Sequence, residues 1–82
     1  MREIENLLEE ALEAARKVER TAIKSFDYIQ IAGIYLSRGQ KTRCLEVLAE
    51  TLKIVDSLKQ PDEKAVCLAQ TAAIFTRAGE LD

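Results

Sequence analysis

The 82-residue chain has no histidine, no tryptophan, one proline, three glycines and two cysteines. Without histidine it lacks the commonest general base and the commonest metal ligand. Two cysteines, Cys44 and Cys67, are too few for a disulfide framework or a metal site. Both sit among apolar neighbours, where buried reduced thiols are expected. The glycines are too scattered for a phosphate-cradling loop: Gly33 and Gly39 stand alone. Basic excess is also missing, with 12 Lys and Arg against 14 Asp and Glu, a net charge of −2. Nucleic-acid binding, which needs a basic stripe, is therefore not expected. No run approaches the roughly 18 apolar residues of a membrane span, and Met1-Arg2-Glu3-Ile4-Glu5 is not a signal peptide. A soluble, cytoplasmic chain is expected, although the soluble domain of a membrane-anchored protein has the same composition.

What is present is helical. The chain is 48% hydrophobic and 32% charged, rich in Ala, Leu, Glu and Lys, and reads as one small all-α domain over residues 1–82. It also echoes itself. Shifted by 40, Leu8 falls on Leu48, Glu10 on Glu50, Leu12 on Leu52 and Lys24 on Lys64. Gln30 meets Gln70, Ala32 meets Ala72, Ile34 meets Ile74 and Gly39 meets Gly79. Conservative pairs lie between them, such as Leu7 with Val47 and Tyr35 with Phe75. Such a period marks a repeat architecture.

Each period divides into two helices. The first is expected over about 2–19, with Ile4, Leu7, Leu8, Ala11, Leu12, Ala15 and Val18 at spacings of three and four. Its early glutamates and terminal Arg16, Lys17 and Arg20 complement the helix dipole. The second is expected over about 22–38, capped by Thr21 or Ser25 and ended by a left-handed Gly39. The third, about 42–59, carries Cys44, Leu45, Val47, Leu48, Leu52, Val55 and Leu58. The fourth, about 61–78, starts at Pro61 and ends before Gly79. Short connections imply antiparallel neighbours. Gly33, inside the second helix, implies close packing there.

Tyr28, Ile31, Ala32, Tyr35, Gly39, Cys44, Leu48, Thr51 and Leu52 together resemble one tetratricopeptide repeat. Leu68, Thr71, Ala72, Phe75 and Gly79 repeat its first half, and Ile4, Leu8, Ala11 and Leu12 supply the second half of a preceding unit. The resemblance covers nearly the whole chain in the helix order B, A, B, A. It departs from the family in its period of 40 rather than 34, in Cys44 and Thr51 where alanine is usual, in Leu48 where an aromatic is usual, and in Asp56 where a proline commonly closes the unit. What the resemblance implies is a right-handed α-solenoid fragment of four helices arranged as antiparallel hairpins. It also implies that Gly79-Glu80-Leu81-Asp82 leads toward a further B helix, leaving the fourth helix uncovered.

Catalytic groups are thin. Ser25, Ser37 and Ser57 lie near helix ends, where capping is the default role. Glu9 and Glu13 have carboxylates a turn apart, but without the Glu-x-x-His partner motif they read as solvated surface charge rather than metal ligands. No cofactor is expected, and no enzymatic activity. By the resemblance, the A helices line a groove that binds a peptide or an amphipathic helix. Its residues would be Phe26, Ile29, Gln30, Gly33 and Ser37 from one unit, and Ala69, Gln70, Ala73 and Arg77 from the next. The family's C-terminal-carboxylate clamp is absent, since Ile29 and Gly33 stand where Lys and Asn are needed. Two functions follow as expectations: a scaffold or adaptor module binding another protein through that groove, or a self-assembly module forming a homodimer through its open ends or the groove. Phe26, Ile29 and Leu36 have a plainer alternative as core residues.

Overall fold

The computed structural model describes residues 2–80 and is all-helical: α1 (Arg2–Arg16), α2 (Thr21–Ser37), α3 (Lys41–Val55) and α4 (Pro61–Glu80). The lead-in at Leu81 and Asp82 lies outside the described residues. No helix among those described is long and apolar enough to cross a membrane.

Helix α2 is the hub. It packs against α1, α3 and α4, whereas the backbone of α1 approaches neither α3 nor α4 closely. Its sequence explains this position: apolar residues run around most of its circumference, the pattern of a helix enclosed by others. Tyr28, Ile29, Ile31, Ala32, Tyr35 and Leu36 are all buried on it. Ala32 is fully buried, the small residue expected where helices approach. Opposing it, α3 buries Cys44, Val47, Leu48, Thr51 and Val55, while Leu52 stays 37% exposed. Of the stripe expected on α1, Leu8, Leu12 and Ala15 are buried and Ile4 and Val18 half-buried, but Leu7 and Ala11 face solvent.

The helix ends correct several expectations. Helices α1 and α3 stop three to four residues early, at Arg16 and Val55, because tighter turns take over. Lys17 and Val18 donate their N–H groups to the carbonyls of Ala14 and Ala15, and Ser57 and Leu58 do the same to Ile54 and Val55. Those two turns are the same device 40 residues apart. Neither Thr21 nor Ser25 caps α2: its N-cap is Arg20, with no side-chain cap bond, and α3 begins equally uncapped at Gln40. The serines instead donate to nearby carbonyls, Ser25 to Thr21, Ser37 to Gly33 and Ser57 to Ile54. Their hydroxyls have an i−3 or i−4 carbonyl within reach, which competes with capping. The two terminal glycines also part company. Gly39 has φ 78° and ends α2, whereas Gly79 lies within α4, which continues to Glu80.

Two tyrosine-centred charge clusters tie α1 to α3 across α2. The Tyr35 hydroxyl donates to Glu9 on α1, and Arg43 on α3 grips the same carboxylate from Nε and Nη2 at 3.0 Å each. Arg43 also lies over the Tyr35 ring, 5.7 Å from its centroid. Two turns away, Arg16 on α1 reaches Glu50 on α3 at 3.6 Å, beside buried Tyr28. The signs are swapped between clusters, so sliding α1 seven residues along α3 sets Glu9 against Glu50. Like charges then meet, and the register is specified. Glu9 is therefore not the free solvated carboxylate expected from sequence. Arg43 and then Tyr35 hold its carboxyl below the usual range.

Gly39→Ala is expected to destabilise by about 1 kcal/mol, since an L-residue is strained at that φ. Gly79→Ala is expected to stabilise by about 0.5–1 kcal/mol, as its helical site is open around the missing Cβ. Urea unfolding of both variants measures the contrast, and equal signs would contradict the assignment. The lowered Glu9 pKa stabilises the fold above the carboxylate's unfolded value, and that contribution disappears as pH falls through the lower folded value. Glu9 is half-exposed, so its share is at most about 1 kcal/mol. Glu9→Gln is expected to lower the melting temperature by a few degrees at pH 7, and to converge on the parent only once pH has fallen below the lowered folded pKa of Glu9.

Candidate functional site

Helices α2 and α4 run side by side, and a shallow recess of about 380 Å³ lies between them. It gathers seven of the nine residues expected in the groove. Ile29, Gln30, Gly33 and Ser37 line it from α2, and Gln70, Ala73 and Arg77 from α4. Phe26 is half-buried and packs against the core instead, and Ala69 is exposed but is not part of the lining. Ile34 and Ile74 complete the wall and were not anticipated. A signal for them existed, because the two isoleucines are an identical pair in the 40-residue echo. Ile29 and Leu36 are core residues, and Ile29 also forms part of the lining of the recess.

The chemistry of this surface is simple. Isoleucines supply an apolar lining, Gly33 and Ala73 leave room, and Gln30 and Gln70 offer amide groups. A Cβ added at Gly33 would meet Ile74 Cδ1 at 3.8 Å, an ordinary contact. The glycine is thus not demanded by close helix packing, and its missing side chain widens the recess. The Ser37 hydroxyl is engaged with the Gly33 carbonyl at 3.0 Å. Arg77 is the one charged residue of the lining, so the field there favours an anionic group.

Both cysteines lie in the core, fully buried and free. Burial pushes the Cys44 thiol up, partly offset by Arg77. Burial also raises the Cys67 thiol, and Glu63 adds to the shift. Raised, enclosed thiols are poor nucleophiles. A second recess, about 340 Å³, lies between α1 and α2 and is lined mainly by alanines and aliphatic residues, among them Ala11, Ala14 and Val18. On the outer side of α4, Leu68 and Phe75 are 41% and 38% exposed, and Val66, 44% exposed, lies on a different side of the helix.

No protein-family model, curated protein or solved structure matches this chain.

Neither thiol is expected to react with an aromatic disulfide reagent while the protein is folded. Both should titrate on unfolding in denaturant, and absorbance at the released thiolate's wavelength follows the reaction. Rapid labelling of either one in the native state would contradict their enclosure.

Proposed function

We propose that this chain is a non-enzymatic protein-interaction module of the helical-repeat kind, taking an apolar and acidic peptide or helix segment along α2 and α4. The observation that carries the reading is the recess itself, where nine residues from two repeat-related helices converge. The pairing of helices supports the tetratricopeptide-like order: α2 packs on α3, α4 packs on both, and α1 packs on α2 alone. In a B, A, B, A solenoid those are the expected neighbours. The volume is near the lower end of the roughly 300–1,000 Å³ typical of ligand pockets. It suits one or two anchoring side chains of a bound segment rather than a whole enclosed molecule. An aliphatic or aromatic anchor would rest on Ile29 and Ile74, with an acidic residue beside Arg77. Gln30, Gln70, Ser37 and Arg77 include no group suited to general-base work at neutral pH, which favours binding over catalysis.

A second reading, self-assembly, is favoured by the apolar outer side of α4. Large apolar side chains left uncovered on a small domain mark association surfaces.

A panel of short peptides carrying one apolar anchor and a neighbouring Asp, Asn or Lys tests the groove by fluorescence polarisation. The Asp series is expected to bind most tightly. Arg77→Glu should weaken it about tenfold, the equivalent of about 1.4 kcal/mol, and reverse the preference toward Lys. Ala73→Arg, which fills the recess, should abolish binding of every member. Indifference to both substitutions would remove the groove as the binding site.

A further inference from the structure

We infer that copies of this chain join head to tail, the outer face of α4 in one copy seating in the α1–α2 recess of the next. The inference rests on the self-assembly reading above and specifies its geometry and its two faces.

The 40-residue shift maps α1 onto α3 and α2 onto α4. Applied to burial, it exposes two unmet requirements. Helix α2 buries Tyr28, Ile29, Ala32, Tyr35 and Leu36. Their counterparts on α4, Leu68, Ala69, Ala72, Phe75 and Thr76, are all exposed, whereas Thr71, the counterpart of buried Ile31, is itself buried. That stripe holds no charged residue. It has the makeup of a packed helix face with nothing packed on it.

The recess shows the reverse. Ala11, Ala15 and Val18 on its α1 side correspond to Thr51, Val55 and Leu58, all buried in α3 or just beyond it. Asp27 and Ile31 on its α2 side correspond to Cys67 and Thr71, both buried on α4. The contrast lies at Ala11, Val18 and Asp27, exposed or half-buried where Thr51, Leu58 and Cys67 are buried, within a bundle where α2 contacts both α3 and α4. Ala15 and Ile31 are buried in both repeats, as are their counterparts, and Gln30 and Gln70 are both exposed. A helix resembling α2 is what the α1–α2 recess lacks. Helix α4 is that helix, related to α2 by the echo itself, so a second copy supplies both missing partners at once.

The substitutions between repeats remove one polar pair from the junction, whose remaining polar lining is Asp27 and Gln30. Tyr35 becomes Phe75 on α4, and Glu9, which accepts the Tyr35 hydroxyl, becomes Ala49 on α3. Hydroxyl and carboxylate are lost together, so the uncovered stripe carries no polar group awaiting a partner at that point. The alanines of the recess leave space for the larger Leu68 and Phe75. Because the two faces differ, the contact is heterologous, each copy leaves one face open, and association continues past the dimer.

Sedimentation velocity and light scattering over a wide concentration range test this, using the whole chain. The parent's average mass is expected to climb past that of a dimer. A variant carrying Leu68→Glu and Phe75→Glu loses one face, and one carrying Ala11→Arg and Ala14→Arg loses the other. All four positions are solvent-exposed, and circular dichroism with a cooperative melt verifies the fold. Should the double arginine variant lose helicity, Ala14→Arg alone carries that arm. Each variant alone is expected to be monomeric, and their equimolar mixture to give a 1:1 dimer, since each retains the face the other lacks. A parent that stays monomeric at all concentrations overturns both this geometry and the self-assembly reading. A parent that stops at a dimer, or is indifferent to the arginine variant, overturns the head-to-tail geometry alone and leaves self-assembly through a two-fold contact.

Discussion

The fold depends on enclosing α2. A helix whose surface is apolar on most sides gains stability only by having neighbours on those sides, and in this chain three helices provide them. Helix α3 covers one side most fully, with Val47, Leu48, Thr51 and Val55 drawn down to zero exposure. The remaining sides go to α1 and α4, which do not touch each other closely. An 82-residue chain has little surplus core, so the loss of any one neighbour would expose apolar surface on the central helix. The two tyrosines are the points where that core reaches the charged rim. Tyr28 and Tyr35 bury their rings and turn their hydroxyls toward charges on α1 and α3, fixing how those two helices lie alongside each other.

The repeat is visible at three levels that need not have agreed. In sequence it is an echo at 40 residues. In local structure it recurs as matched helix starts at Thr21 and Pro61 and as matched tight turns after Ala15 and Val55. In burial it breaks in an informative way, because equivalent positions are covered in the middle of the chain and bare at its two faces. Thr71 illustrates the cost of adapting one unit to a different place: among the described residues its buried hydroxyl has no hydrogen-bond partner, where the earlier unit has Ile31. Thr51, similarly buried, returns its hydroxyl to the Val47 carbonyl at 2.8 Å.

The proposed function is a matter of surfaces. One recess combines apolar walls, two amides and a single cation between α2 and α4. The other, between α1 and α2, is lined by small and aliphatic residues together with Asp27 and Gln30. The first has the mixed character that recognises a sequence, the second the plain character of a packing contact. Both lie where neighbouring helices pack side by side and leave a groove between them.

Much was determined by the sequence alone. The four helices and their approximate spans follow from apolar periodicity, punctuation and the 40-residue echo, which act locally or through simple repetition, and seven residues of the recess were named by the tetratricopeptide resemblance. Only the tertiary structure decided the rest. Ala11 and Ala15 lie four residues apart on one helix stripe, yet one is exposed and the other buried, because α2 covers just part of that stripe. Glu9 looked like one solvated carboxylate among many until Arg43 and Tyr35, distant in sequence, converged on it. Gly39 and Gly79 occupy equivalent positions, yet Gly39 takes φ 78° where α2 ends, whereas Gly79 lies within α4. Periodicity specifies which side of a helix is apolar. Which neighbour covers it, and how far, depends on contacts between elements far apart in the chain.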